Sequence, residues 1–234
     1  MYNRNILKQS AIDILENSTK GHDIEHMEMV YNLSQRINKG EEFPADDDIL
    51  YAASWLHDLG HTIYDPEDPS YSKHPEKSVD IARDILEDVG FPMDKRLLTL
   101  KAILLHDDRK PWGTHKSVDE IEVKIIQDAD NLEALGERGV KRIIAYCETV
   151  HMPYFNPSLK WNDSEAKSQS ILHNIYAHME IYNKLHTNTA KILGKSKIHQ
   201  HYYMLKQLIE KHNNLCEDKR GIADTIPPLP CDIS

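Results

Sequence analysis

Apolar residues recur along this chain with the period of an α-helix, and no stretch alternates strictly enough to support a sheet. Over residues 3–16, Leu7, Ala11, Ile14 and Leu15 share a face. Over 22–39, His26, Val30, Leu33 and Ile37 stand at i, i+4, i+7 and i+11. A third helix is predicted over 46–59, opening on aspartates suited to a helix N-terminus and stopping near Gly60. Further helices are predicted over 74–89, from Pro92 or Asp94 to His106, over 117–135 and over about 137–150. Two long ones follow, roughly 164–193 and 196–215. The loops 62–73 and 107–116 separate helices, and a Pro-containing tail occupies 217–234. The expectation is an all-α fold: one domain over residues 1–216, with the last helices docked on the first six.

Composition narrows the class. The 234 residues suffice for one large core, and 40% of them are hydrophobic, near the globular norm. No apolar run approaches the roughly 18 residues of a spanning helix. The N-terminus lacks the charged-then-apolar plan of a secretory signal, so a cytoplasmic location is expected, with no membrane partner. Cys147, Cys216 and Cys231 are far apart, which argues against a disulfide framework or a thiolate zinc site. A net charge of −10 without a dense Lys/Arg stripe argues against duplex nucleic acid as a partner. A small anionic substrate stays open, because a bound cation can reverse the local potential.

Candidate chemistry lies where polar residues interrupt apolar faces. His26 stands in line with Val30 and Leu33; alone it would more often be a hydrogen-bonded core residue than a ligand. His57 and Asp58, in WLHDLGH, close an apolar helix, and a buried Asp is costly unless paired or metal-bound. Adjacent helical residues diverge by about 100°, but a helix terminus lets neighbours reach one cation. Asp128 and Asp130, in IIQDADNLEAL, lie on opposite sides of another apolar helix, and spacing alone does not choose between them. Two imidazoles and carboxylates form a mixed N/O set that suits Mn, Fe, Zn, Co or Ni better than Ca or Mg.

The ordered blocks GHDIEHMEMV, ILYAASWLHDLGH, HPEKS, AILLHDD and IIQDADNLEALGERGVKR span about residues 20–145. With them the chain resembles the HD-domain superfamily of metal-dependent phosphohydrolases, in particular its bacterial YpgQ/YedJ-like subgroup. KLHTNTAKIL at 184–193 resembles that subgroup's C-terminal helix. The resemblance implies His26, His57, Asp58 and Asp130 as metal ligands, choosing Asp130 because it precedes a polar-Leu segment. Asp128 then becomes an active-site carboxylate, with His61 as a candidate general acid and helix-cap bonding as its alternative role. Asp23 and His22 are expected to orient the site. His74 and His106 stand where dinuclear relatives place extra ligands, and where phosphates would bind in a mononuclear enzyme. Arg109 and Arg142 are expected to grip phosphate, whereas Lys110 reads equally as solvated charge.

The resemblance implies hydrolysis of a phosphate ester or anhydride by metal-activated water. The substrate class is a small phosphorylated compound, a nucleotide foremost, with a nucleoside triphosphate cleaved to monophosphate and pyrophosphate as one form. The alternatives are a di-iron oxygenase and a non-catalytic metal- or nucleotide-binding regulator. Oligomeric state is left open. Two departures stand out: Met29 replaces an Arg usual in the subgroup, and Glu133 replaces a common Asp.

Overall fold

The computed structural model describes residues 2–16, 23–111, 113–161, 166 and 169–215. His22, Cys216, Cys231 and the tail 217–234 lie outside these residues. The described residues form nine α-helices and no strand, the all-α architecture expected. They are α1 (Arg4–Leu15), α2 (Ile24–Asn38), α3 (Asp47–Leu56), α4 (His74–Asp88), α5 (Met93–Leu105), α6 (Ile121–Glu133), α7 (Gly136–Thr149), α8 (Ile171–His178) and α9 (Asn188–Leu215). None is long and apolar enough to cross a membrane.

Two helices make the centre. Every residue of α3 from Ile49 to Leu56 is buried, and so is every residue of α6 from Ile125 to Glu133. A helix buried all round must be covered on every side. α2 packs on both α3 and α6, α5 joins them from another side, and α4 packs on α5. α7, α8 and α9 pack on one another, and α9 also touches α6. Polar residues within α3 and α6 are therefore forced into the interior, and each needs a partner there.

The C-terminal boundaries differ from the expected pair 164–193 and 196–215. α8 ends at His178, a 3-10 turn runs over Met179–Lys184, and α9 starts at Asn188 and continues unbroken through Gly194. Gly194 is a packing residue rather than a helix terminator: a Cβ there would lie 3.0 Å from Tyr182 and 3.1 Å from Leu132. Gly60 likewise does not end α3, which stops at Leu56. It sits in the 3-10 turn Leu59–Thr62, where a Cβ would fall 2.1 Å from the carbonyl oxygen of His74. Its N–H donates to Ser78 Oγ at 2.8 Å. This close approach brings the start of α4, and so His74, against the end of α3.

Two buried groups have no part in the polar centre. Cys147 is fully buried, which pushes its thiol up to about 12 and makes it a packing residue. His201 on α9 contacts the Ile175 carbonyl oxygen at 2.9 Å through Nε2, and burial lowers it to about 4. An imidazole in the unfolded chain titrates near 6.5. Between these values the unfolded chain binds a proton that the native chain does not, so stability falls as the pH drops through that window. The full span corresponds to about 3 kcal/mol. His201→Met is expected to flatten this share of the decline in urea melts between pH 7 and 4. An unchanged slope would assign the acid sensitivity to other groups.

Candidate metal centre and its cavity

The polar centre is built from helix ends. Asp23 caps α2, accepting from the His26 backbone N–H at 2.9 Å, and the apolar face of α2 then carries His26 fully inside. α3 ends at Leu56, so His57 is its cap and Asp58, at φ −106 and ψ 7, has left the helix. That break lets adjacent side chains converge: His57 Nε2 lies 3.5 Å from Asp58 Oδ2. His74 opens α4, His106 closes α5, and Asp130 enters from α6.

Asp58 stands between two groups. Its Oδ2 lies 3.2 Å from His26 Nε2, and His26 Nε2 is 3.2 Å from His57 Nε2 and 3.6 Å from Asp130 Oδ1. Its Oδ1 lies 3.0 Å from His106 Nε2, 3.5 Å from His74 Nε2 and 3.8 Å from His61 Nε2. Asp107 Oδ2 is 3.5 Å from His74 Nε2, and the His74 and His106 Nε2 atoms are 3.1 Å apart. Donor atoms of His26, His57 and Asp130 come close enough together to hold one ion. So do those of His57, Asp58 and His106, of Asp58, His61 and His74, and of His74, His106 and Asp107.

The donor chemistry fits a cation. His57 Nδ1 faces the Ser54 carbonyl oxygen at 3.0 Å, and His106 Nδ1 faces that of Ile103 at 2.7 Å. A carbonyl only accepts, so each Nδ1 carries a hydrogen, and Nε2 is the ring atom turned inward, with a lone pair for an ion whenever the ring is neutral. His26 Nδ1 lies 3.3 Å from Glu133 Oε2, the kind of carboxylate support that orients a ligating imidazole. Lone pairs and carboxylates aimed at one another repel unless positive charge lies among them. Burial pushes His57 down to about 3 and also lowers His26. Burial opposes the charged form of His106 too, but Asp107 and Asp58 outweigh it and push that ring up to about 9.

A cavity of about 430 Å³ opens on this centre. Asp58, His61, His74, Asp107 and Asp130 line it, together with Lys110 and Arg142. Lys110 is only 6% exposed, and its Nζ lies 3.0 Å from Asp130 Oδ2. Burial raises Asp130, but Lys110, His26 and His57 outweigh it and hold the carboxyl below its ordinary range. Arg142 reaches Glu133, which also receives Arg138 Nε at 2.7 Å. Glu133 thus takes its cations from α7.

Three sequence expectations do not join this centre. Asp128 points away from Asp130, as residues two apart on a helix must. Its Oδ1 accepts the His186 N–H at 2.8 Å, and its Oδ2 accepts the Thr187 N–H and Oγ1 hydroxyl, each at 2.8 Å. Burial pushes the carboxyl up to about 6 against the pull of those donors. Arg109 donates through Nε and Nη2 to the Lys184 carbonyl oxygen, each at 3.3 Å, and so pins the C-terminal helices. Asp23 is an exposed helix cap and does not line the cavity. His106 is buried and is not among the lining residues, whereas His61, His74 and Arg142 line the cavity. Asp107 is a residue that the sequence pattern did not single out, and Lys110, which reads equally as solvated charge, is buried here. Their signal was position, immediately beside His106 and before Pro111, because burial of a loop lysine is invisible to periodicity.

Comparison with known proteins agrees with this geometry. Residues 23–135 match the HD domain family model. No curated protein matches the sequence. Among solved structures, one from Lactobacillus plantarum superposes with a TM-score of 0.72 at 20% identity, covering 92% of this chain and all of that one. An HD-superfamily hydrolase from Bacillus thuringiensis gives 0.64 at 21% identity, covering 90% of this chain and 96% of that one. YpgQ of Bacillus subtilis in complex with ADP gives 0.61 at 22% identity, covering 89% and 97%. At such identities the superpositions establish the shared fold, and the matched segment carries His26, His57, Asp58 and Asp130 in one buried group. Residues 23–135 of the chain therefore form an HD domain.

Proposed function

We propose that this protein is a metal-dependent phosphohydrolase that cleaves a phosphoanhydride or phosphate ester of a nucleotide. The observation that carries the reading is the buried His/Asp centre facing a cavity that also holds Lys110 and Arg142. His26, His57, Asp58 and Asp130 would hold the ion, and their mixed N/O chemistry suits Mn, Fe, Co, Ni or Zn. A divalent cation there supplies Lewis acidity toward a phosphoryl oxygen and lowers the pKa of water.

The remaining steps belong to the chain. Lys110 and Arg142 neutralise phosphoryl oxygens in the cavity, where charge-assisted hydrogen bonds are stronger than neutral ones. Asp58 fixes the relative placement of both imidazole groups through its two oxygens. His61, stacked on His74 with centroids 3.6 Å apart, stands at the cavity surface, where it can pass a proton to the leaving oxygen. The ADP bound to YpgQ supports a nucleotide as the substrate class. The second grouping, Asp58 with His74 and His106, favours a two-ion form of the same reading.

The test is metal analysis coupled to a hydrolysis screen with Mn, Co, Ni, Fe, Zn and Mg supplied separately. Release of phosphate or pyrophosphate with one or two ions per chain supports the proposal. Oxygen-dependent turnover with two irons would replace it by an oxygenase, and nucleotide binding without release by a regulator. Lys110→Met is expected to lower kcat/KM about ten- to a hundredfold while metal stoichiometry holds. Loss of the metal in that variant would make Lys110 a support for Asp130 instead of a phosphate partner.

A further inference from the structure

The imidazole of His26 lies between two carboxylates from one side of α6. Asp130 and Glu133 stand at i and i+3 of that helix and so share a face. Asp130 Oδ1 lies 3.6 Å from His26 Nε2, and Glu133 Oε2 lies 3.3 Å from His26 Nδ1. The two ring nitrogens therefore meet different demands. Nε2 is turned to the buried His/Asp group, where an ion needs a lone pair, and a neutral ring then carries its one hydrogen on Nδ1. Glu133 is the carboxylate placed to accept that hydrogen.

Glu133 is only 1% exposed, so its charge has to be compensated inside the fold. Two guanidiniums about one turn apart on α7 do this. Arg138 Nε donates to Oε1 at 2.7 Å, and Arg142 Nη1 contacts Oε2, the same oxygen that faces His26. Arg138 also reaches Glu25, which ties α2, α6 and α7 together around this carboxylate. Arg142 lines the cavity, whereas Glu133 is not among the lining residues. One buried carboxylate thus touches a residue of the metal group and a cation that faces the cavity.

We propose that Glu133 is a positioning residue for both: its Oε2 accepts the His26 Nδ1 hydrogen, which leaves Nε2 for the ion, and it holds the Arg142 guanidinium at the cavity wall to meet phosphate. Loss of this carboxylate then weakens metal and phosphate binding together. The Arg142 half rests on the phosphohydrolase reading, and the His26 half only on a bound ion.

The test measures metal binding, phosphate binding and hydrolysis in the full chain. In calorimetry Glu133→Gln, which keeps the side-chain volume and removes the charge, is expected to bind Mn about ten- to a hundredfold more weakly. With Mn at saturation it is expected to bind inorganic phosphate about tenfold more weakly. Arg142→Met is expected to lose a similar share of phosphate affinity while its Mn affinity stays within about threefold of the wild type. In the double variant the phosphate losses should not multiply, because Glu133 acts on phosphate through Arg142. Mn affinity within about twofold of the wild type in Glu133→Gln, or phosphate losses that multiply in the double variant, overturns the proposal. The zinc-loaded wild type gives a measurement that needs no variant. Heteronuclear NMR should find the His26 hydrogen on Nδ1, slow to exchange and shifted downfield by a carboxylate acceptor. Fast exchange of that hydrogen with water overturns the proposal, and a hydrogen on Nε2 overturns it together with the place of His26 among the ligands. The expected binding and NMR results without hydrolysis of any nucleotide or phosphate ester leave Glu133 standing and overturn the phosphohydrolase reading instead.

Discussion

Asp58→Ala is expected to remove bound metal and to lower turnover by roughly a thousandfold or more, about 4 kcal/mol of transition-state stabilisation. The size follows from position. Asp58 Oδ2 serves the His26 and His57 group, and Oδ1 serves the His74 and His106 group, so one truncation weakens both. The fold should persist, because Asp58 lies outside α3 and the removed carboxylate belongs to a crowded acidic centre. Circular dichroism should therefore match the wild type. The wild type should gain melting temperature when metal is added, and the variant should not, since only a ligand that binds the native state stabilises it. Full metal occupancy in Asp58→Ala would overturn the ligand assignment.

Asp128→Ala is expected to act on stability instead. It would strand the His186 and Thr187 backbone N–H groups and the Thr187 hydroxyl, of which the Thr187 groups are buried. Each buried donor left without its acceptor costs about 1–3 kcal/mol. For a chain of this size that lowers the melting temperature by roughly 10 °C. Metal stoichiometry at low temperature should be kept, because Asp130 faces the other side of α6. A variant that melts like the wild type yet turns over poorly would return Asp128 to the active site. The two substitutions, two residue types alike and both in apolar helical contexts, thus separate by readout: one moves metal and rate, the other moves stability.

The break between α8 and α9 has the same origin. Its backbone N–H groups at His186 and Thr187 leave the helical ladder and are satisfied by Asp128, a residue almost sixty positions earlier. A helical pattern in 164–193 could not reveal this, because the competing hydrogen-bond partner is distant in sequence. Gly194 acts in the opposite sense, keeping a helix unbroken where 164–193 and 196–215 were expected to be separate. Glycine commonly ends helices, but here it lets α9 approach Tyr182 and Leu132. Lys110 is a third case. It looks like solvated charge in DDRKP, and only the folding of the chain around Asp130 buries it.

By itself the sequence determined the helical class, most of the first seven helices, and the presence of His26, His57, Asp58 and Asp130 on apolar faces. These are local properties: a 3.6-residue period, helix-end chemistry and the cost of polar groups among apolar neighbours act within a few turns of chain. The choice of Asp130 over Asp128 was beyond periodicity and came from family resemblance. Tertiary structure alone decided that Asp58 stands between two imidazole groups, that Asp128 and Arg109 secure the C-terminal helices, and that Lys110, Tyr146 and Asn174 share a cavity with the metal centre. The physical reason is that direction and burial at those positions are set by packing between helices far apart in the chain, and no window of sequence contains both partners.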